Sequence, residues 1–371
     1  MGETAVIAAI REFTNRFLGR GDAAITVPPF DGALKPNQRL ETAETVLTCE
    51  ALEDIASDGA NLYLADGRRL LRLDGQAATE LRVFEQPVSA LCALPGGGLA
   101  VALGGREVRL YPTPTAGDPS ATFIDKRFNA INALALAPDG TLIATDGSTT
   151  CGFDEWARDL MNLNRSGRVF RLVPDTRSVT QIVDGLGYAF GACVSNGGSA
   201  LISESWRHRL ISIAPDGSRR VVLGHLPVYP SRLSKAAAGG YWLTAFVART
   251  QLVEFVLREP AYRRRMMAEI DPDYWVVPRL RSGLSFKEPM QGAHLKTMGV
   301  IKPWAPPRSY GLVIRLSAEG TPLYSLHSRV DGVNHGIVAA VERGDDLFII
   351  AKGPGRLLRL PLATLAREFG S

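Results

Sequence analysis

Residues 132–146 read NALALAPDGTLIATD, two apolar runs joined by a Pro-Asp-Gly turn. Asp-Gly between alternating apolar residues is a strong hairpin signal, because those residues accept the positive φ that tight primed turns require. The phrase recurs along the chain: DIASDGANLYLAD at 54–66, LCALPGGGLAVAL at 91–103, ACVSNGGSALISE at 192–204, LSKAAAGGYWLTA at 233–245 and IVAAVERGDDLFII at 337–350. The turns fall near Gly59, Gly97, Gly140, Gly197, Gly240 and Gly344. Most gaps are roughly 40 residues, the length of one four-stranded propeller blade. Short strands such as RRLLRL at 68–73, REVRLY at 106–111, HRLISI at 208–213 and GRLLRL at 355–360 follow several hairpins and supply a third strand. Six turns imply an all-β, six-bladed β-propeller.

Two gaps are longer. CGFDEWARDLMNLNRSG at 151–167 reads as a short helix before the strand RVFRLV. The second, residues 258–308, carries ten Lys/Arg against five Asp/Glu and reads as a basic, partly helical insertion after blade 5, with helix over Pro260–Glu269. At the N-terminus, Val6, Ile10, Phe13 and Phe17 recur at helical spacing before Gly19. The expected organisation is an amphipathic helix over 1–20, a linker or closing strand over 21–44, and a propeller over 45–365.

Composition narrows the function. A net charge of +4 on 371 residues, concentrated in the insertion, permits steering of an acidic ligand. No RNA-recognition or helix-turn-helix pattern accompanies the basic stretch, so no nucleic-acid partner is expected. The N-terminal apolar stretch is too short for a secretory leader, Glu3 precedes it, and no apolar run approaches 18 residues. A cytoplasmic location is expected. Cys49, Cys92, Cys151 and Cys193 lie far apart without a CxxC pair; Cys92 and Cys193 read as buried thiols. Gly-x-Ser-x-Gly is absent, which argues against an α/β-hydrolase triad. Trp206, Trp242, Trp275 and Trp304 are candidates to line a pocket, with Trp206 and Trp242 assigned to blade strands. The Arg207-His208-Arg209 run reads as a solvated edge.

Inner strands begin at one end of the channel, and each residue advances about 3.3 Å. Side chains six to nine residues before each turn therefore meet at the channel mouth: Glu53, Ser89, Asn132, Phe190, Ser231 with Arg232, and His335. Glu, Asn and His converging there offer ligands for a hard cation or groups for proton transfer.

ISESWRHRLISI at 202–213, followed by GHLPVYPSRLSKAAAGGYWLTAF at 224–246, resembles the most typical stretch of strictosidine synthase-like proteins. NALALAPDGTLIATDGS, DLMNLNRSGRVFRL and YGLVIRLSAEGTPLYSLH are similar to further segments, so the resemblance spans about residues 45–365. It implies kinship with Ca²⁺-dependent lactonases and esterases, whose channel metal is held by one Glu, two Asn and one Asp. Glu53 and Asn132 match two of these ligands; Phe190 stands at the second Asn and Pro230-Ser231-Arg232 replaces the Pro-Asp-Asn turn. The cofactor expectation is thus none or Ca²⁺. Strictosidine synthase itself works without metal through a last-blade Glu, a region that falls on His335 or Val338 here.

The leading functional expectation is a hydrolase of a small, acidic lactone or ester. His335 would be general base, Glu53 and Asn132 would hold metal or water, and Ser89, Phe190, Ser231 and Arg232 would contact substrate. The alternatives are a metal-free amine–aldehyde condensing enzyme and a non-catalytic ligand-binding propeller with a decayed metal site.

Overall fold

The structure, a computed structural model, describes residues 26–285, 288 and 308–370. Its strands form six four-stranded antiparallel sheets. The innermost strands are Leu52–Ser57, Val88–Leu94, Ile131–Leu136, Ala189–Val194, Val228–Lys235 and Ile337–Arg343, from blade 1 to blade 6. Each lies against the next, and that of blade 6 returns to that of blade 1, so the ring closes. The chain is a six-bladed propeller.

Local chemistry explains the blades. In blade 3, Asp139 accepts hydrogen bonds from the Thr141 backbone and hydroxyl, and Gly140 takes φ +81° to turn the strand. In blade 4 the positive φ falls on Gly198, one residue beyond the expected Gly197. The alternating apolar residues then pack between sheets. Ala133, Ile143 and Val169 of blade 3 meet Ala192, Val194, Ile202 and Ile211 of blade 4. Each such Val or Ile contributes about 1.5–3 kcal/mol by leaving water. Cys193 is buried on the other side of blade 4, against Leu233 and Leu243 of blade 5, whereas Cys92 is half-buried.

Both long insertions interrupt a blade between its second and third strands. In blade 3, helix α1 (Trp156–Met161) separates Leu142–Asp146 from Gly167–Val173. In blade 5, helices α2 (Gln251–Arg258) and α3 (Pro260–Glu269) lie between Tyr241–Ala248 and Gly311–Leu316. The insertion expected after blade 5 is therefore inside it, because its third strand is postponed beyond the insertion. Thr250 caps α2 by accepting the Val253 N–H at 3.3 Å, and Pro260 starts α3, where a missing N–H costs nothing. Second-to-third connections emerge where inner strands begin, so both insertions cover the same end of the channel.

Blade 6 is completed from the N-terminal side. Glu44–Thr48 pairs with Arg356–Pro361, placing Thr48 opposite Arg356 and Glu44 opposite Arg359. This closing strand starts at the last residue of the expected linker and continues past it. Helix α4 (Leu362–Phe369) follows, with Phe369 stacked on Tyr324. The expected helix over 1–20 and Trp304 lie outside the described residues. No described helix is long and apolar enough to cross a membrane.

Candidate active site at the channel mouth

All six inner strands slip register near their start. In blade 1, Leu52 opposes Asp66 and Asp54 opposes Ala65, leaving Glu53 between. The same slip isolates Ser89 in blade 2, Asn132 in blade 3 and Val338 in blade 6. Wider irregularities leave Phe190 and Gly191 in blade 4, and Ser231 and Arg232 in blade 5. A bulge removes a residue from the ladder and re-aims it. Here it frees a ring of carbonyl oxygens as well as side chains.

Arg232 takes those oxygens. Its Nε donates to the Asn132 carbonyl at 3.0 Å and its Nη1 to the Glu53 carbonyl at 2.8 Å. Nη2 donates to the Ser89 carbonyl at 2.8 Å and to Glu53 Oε1 at 3.2 Å. Asp54 Oδ1 lies 3.3 Å from Nε, and the Phe190 ring receives the guanidinium at 5.2 Å. One blade-5 side chain thus ties together the inner strands of blades 1, 2 and 3. The second carboxylate oxygen of Glu53 pairs with Lys352, which follows the second strand of blade 6 and keeps 27% of its side chain exposed.

Burial alone would raise the Glu53 pKa; Lys352 and Arg232 more than offset it and hold the carboxyl below its ordinary value. At Asp54, burial dominates over Arg232 and over hydrogen bonds from the Leu91 and Ile55 N–H groups, and the pKa is pushed up to about 6. Ser89 Oγ is buried at the same ring without a hydrogen-bond partner among the described residues.

The remaining sequence-derived residues make contacts of their own. Asn132 donates through Nδ2 to the Ala189 carbonyl at 3.1 Å. Ser231 Oγ braces Thr244 Oγ1 at 2.7 Å and the Ile337 carbonyl at 3.0 Å. His335 is hydrogen-bonded away from Glu53: its Nε2 donates to the Arg329 carbonyl at 2.7 Å, which leaves Nδ1 to accept from Ser309 Oγ at 2.6 Å. Burial lowers its pKa. The blade-6 member of the ring is Val338, three residues on.

Above the ring, Tyr188, Phe190, Tyr229 and Phe246 form one apolar cluster with Val253, Val256 and Leu257 of α2, Met266 of α3, and Trp275. Arg158 of α1 lies over the Trp275 ring at 5.5 Å, so the two insertions meet as a roof. Beneath it, Asp159 accepts from Trp206 Nε1 and Asn164 Nδ2, both at 2.7 Å; burial raises its pKa. Trp206 belongs to a 3₁₀ turn, Ser205–Arg207, rather than to a strand, while Trp242 is core.

Lys352, Asp54 and Asp159 escaped the sequence reading. A repeated signal lay nearby: Asp66, Asp146 and Glu204 end second strands, accept the N–H of Ala51, Ala130 and Gly187, and pair with Arg69, Arg168 and Arg209. The site is built at this end of every such latch. The Arg207-His208-Arg209 run belongs to one, and His208 is not a solvated edge. Its φ of +50° turns the imidazole inward, where Nδ1 meets the Val228 carbonyl at 3.3 Å and Nε2 lies 3.5 Å from Glu254.

The ring does not fit a divalent metal. A hard cation wants six to eight oxygens, several of them charged. The oxygens it would use here are occupied by Arg232, a second cation holds Glu53, and no group of three His, Cys, Asp or Glu side chains placed to bind a metal occurs among the described residues. The orphaned Ser89 hydroxyl suits a neutral oxygen such as water or a carbonyl instead.

A strictosidine synthase family profile matches residues 132–212. Adipocyte plasma membrane-associated proteins match over most of their length: 23% identity with that of Salmo salar, covering 85% of this chain and 76% of the relative, and 25% with that of Bos taurus, covering 90% and 82%. Among solved structures, a gluconolactonase from Xanthomonas campestris superposes with a TM-score of 0.55 at 16% identity, covering 90% of this chain and 99% of that one. Regucalcin from Agrobacterium tumefaciens, described as calcium-binding, gives 0.52 at 12% identity, covering 86% and 92%. The chain is thus similar in sequence to strictosidine synthase over residues 132–212 and to adipocyte plasma membrane-associated proteins over most of its length, and it shares the six-bladed propeller architecture of the solved structures.

Proposed function

We propose that this chain hydrolyses a small lactone or ester at the channel mouth, with Glu53 and Lys352 as its catalytic pair. The observation that carries the reading is a buried carboxylate clamped between two cations, at the same ring as a serine hydroxyl that has no partner among the described residues. Glu53, ionised at neutral pH, accepts a proton from a water aligned by Ser89 Oγ. The water oxygen attacks the carbonyl carbon, and the negative charge that develops on the carbonyl oxygen rests beside Lys352 Nζ. The C–O bond breaks, and the proton held by Glu53 passes to the leaving alkoxide, giving the hydroxy acid, or an acid and an alcohol. Arg232 touches no reacting atom; it is a positioning residue that keeps Glu53 charged and fixed. The aromatic roof supplies apolar contact for the substrate, and Lys352 favours a substrate with an acidic substituent. The likeness to a gluconolactonase is consistent with this chemistry.

A ligand-binding propeller without turnover is the second reading, favoured by the number of channel donors already committed within the protein. Amine–aldehyde condensation finds less support, since Val338 offers no carboxylate at the blade-6 bulge. The test is a panel of lactones and aryl esters with and without chelator. Chelator-insensitive turnover that falls about 10²-fold or more in Glu53→Gln, within the usual range for a positioned proton-transfer group, supports hydrolysis. Activity retained in folded Glu53→Gln, or no turnover across the panel, overturns it.

A further inference from the structure

We propose that Arg232 is a built-in substitute for a channel cation, and that the bulge oxygens become a divalent-cation site only when its guanidinium is removed. The oxygens it gathers are of the kind a hard cation takes: a carboxylate oxygen of Glu53 and the carbonyls of Glu53, Ser89 and Asn132. They come from three blades, so whatever cation sits among them also ties those strand starts to one another.

The neighbouring substitution is matched to it. Phe190 brings no oxygen, yet its ring lies 5.2 Å from the guanidinium carbon, within range for cation–π attraction, and a flat guanidinium suits an aromatic face. Gly191 completes the fit: a Cβ there would stand 2.6 Å from Arg232 Cα, so blade 4 must carry glycine for Arg232 to reach the ring. Phe190, Gly191 and Arg232 thus act as one unit. The remaining Asp54 carboxylate, 3.3 Å from Nε, is balanced by the same charge. A divalent ion added to the intact ring would meet Arg232 and Lys352 with two carboxylates already neutralised.

This inference does not depend on turnover, so its test reads binding alone. Wild type, Arg232→Ser, the double variant Phe190→Asn/Arg232→Asn, and each with Glu53→Gln are titrated with Ca²⁺ by calorimetry and by thermal melting. Wild type is expected to show no heat of binding and an unmoved melting temperature. Arg232→Ser melts lower and recovers a few degrees in millimolar Ca²⁺ by ligand linkage; the double variant binds more tightly, and Glu53→Gln abolishes both effects. Folded variants that gain no Ca²⁺ affinity overturn the proposal. If neither variant folds, wild type decides: one Glu53-dependent Ca²⁺ per chain after dialysis against the ion overturns it, and none upholds it.

Discussion

Arg232 Nη2 and Glu53 Oε1, 179 residues apart in the chain, lie 3.2 Å apart at the mouth of the channel. Blades 1 and 5 are not neighbours in the ring, so this pair crosses the channel rather than lining it. Through Arg232 it joins the inner strands of blades 1, 2, 3 and 5 in one hydrogen-bonded unit.

Removing the guanidinium leaves Glu53 and Asp54 buried and three bulge carbonyls without a donor. Breaking a buried ion pair from one side typically costs about 3–5 kcal/mol. Arg232→Ala should lose that much in urea denaturation. Arg232→Lys should recover little, because a point-like ammonium cannot serve four acceptors spread over three blades.

Gly191→Ala tests how tightly blades 4 and 5 meet. The added methyl would stand 2.6 Å from Arg232 Cα and clash harder still with the Ser231 carbonyl, both backbone positions that cannot rotate away. Overpacking of this kind costs about 1–3 kcal/mol. A lowered urea midpoint with unchanged slope is expected; an unaltered midpoint would show that the strands separate freely.

His335→Ala separates structure from chemistry. It removes the two hydrogen bonds of a buried imidazole, a loss of about 1–3 kcal/mol, while Ser282 Oγ still meets Ser309 Oγ and the Gly332 N–H still meets the Arg329 carbonyl. Turnover measured below the melting transition should match wild type, in contrast to Glu53→Gln. Equal losses in both variants would return His335 to the reacting centre.

His327 predicts an acid sensitivity. Burial, with a smaller effect of Arg329, lowers its pKa to about 3, while Tyr310 Oη and Ser325 Oγ satisfy its two nitrogens. The unfolded imidazole binds a proton near pH 6.5 and the folded one does not. Its stabilising contribution is therefore present above pH 6.5 and lost as pH falls toward 3, about 2 kcal/mol by pH 5. Asp54 and Asp146, raised to about 6 mainly by burial, act oppositely: their contribution is present in acid and lost as pH rises through 6. The comparison is thus wild type against His327→Gln at pH 7.5 and pH 5, where the wild-type advantage should shrink. An advantage independent of pH contradicts the assignment.

The blade count was legible because hairpin turns are local: an Asp-Gly or Gly-Gly step between apolar runs needs no distant partner. Counting back from those turns also placed Glu53, Ser89, Asn132, Phe190 and Arg232 at the ring. The same counting landed on His335 instead of Val338, because a bulge is a property of strand pairing that spacing does not reveal. Lys352 was missed because it sits on a loop and reaches Glu53 from 299 positions away. His208 was misread because alternation in Arg-His-Arg imitates a solvated strand, whereas one left-handed residue points the ring inward. The blade-5 insertion was displaced because the third strand of that blade resumes only at Gly311.

The most direct measurement is an anomalous-difference map from crystals of the wild-type protein soaked in Tb³⁺ or Ca²⁺. The account predicts guanidinium density bridging Glu53, Ser89 and Asn132, with no anomalous peak among them. A peak at that position, with Arg232 turned away from the three carbonyls, would contradict it.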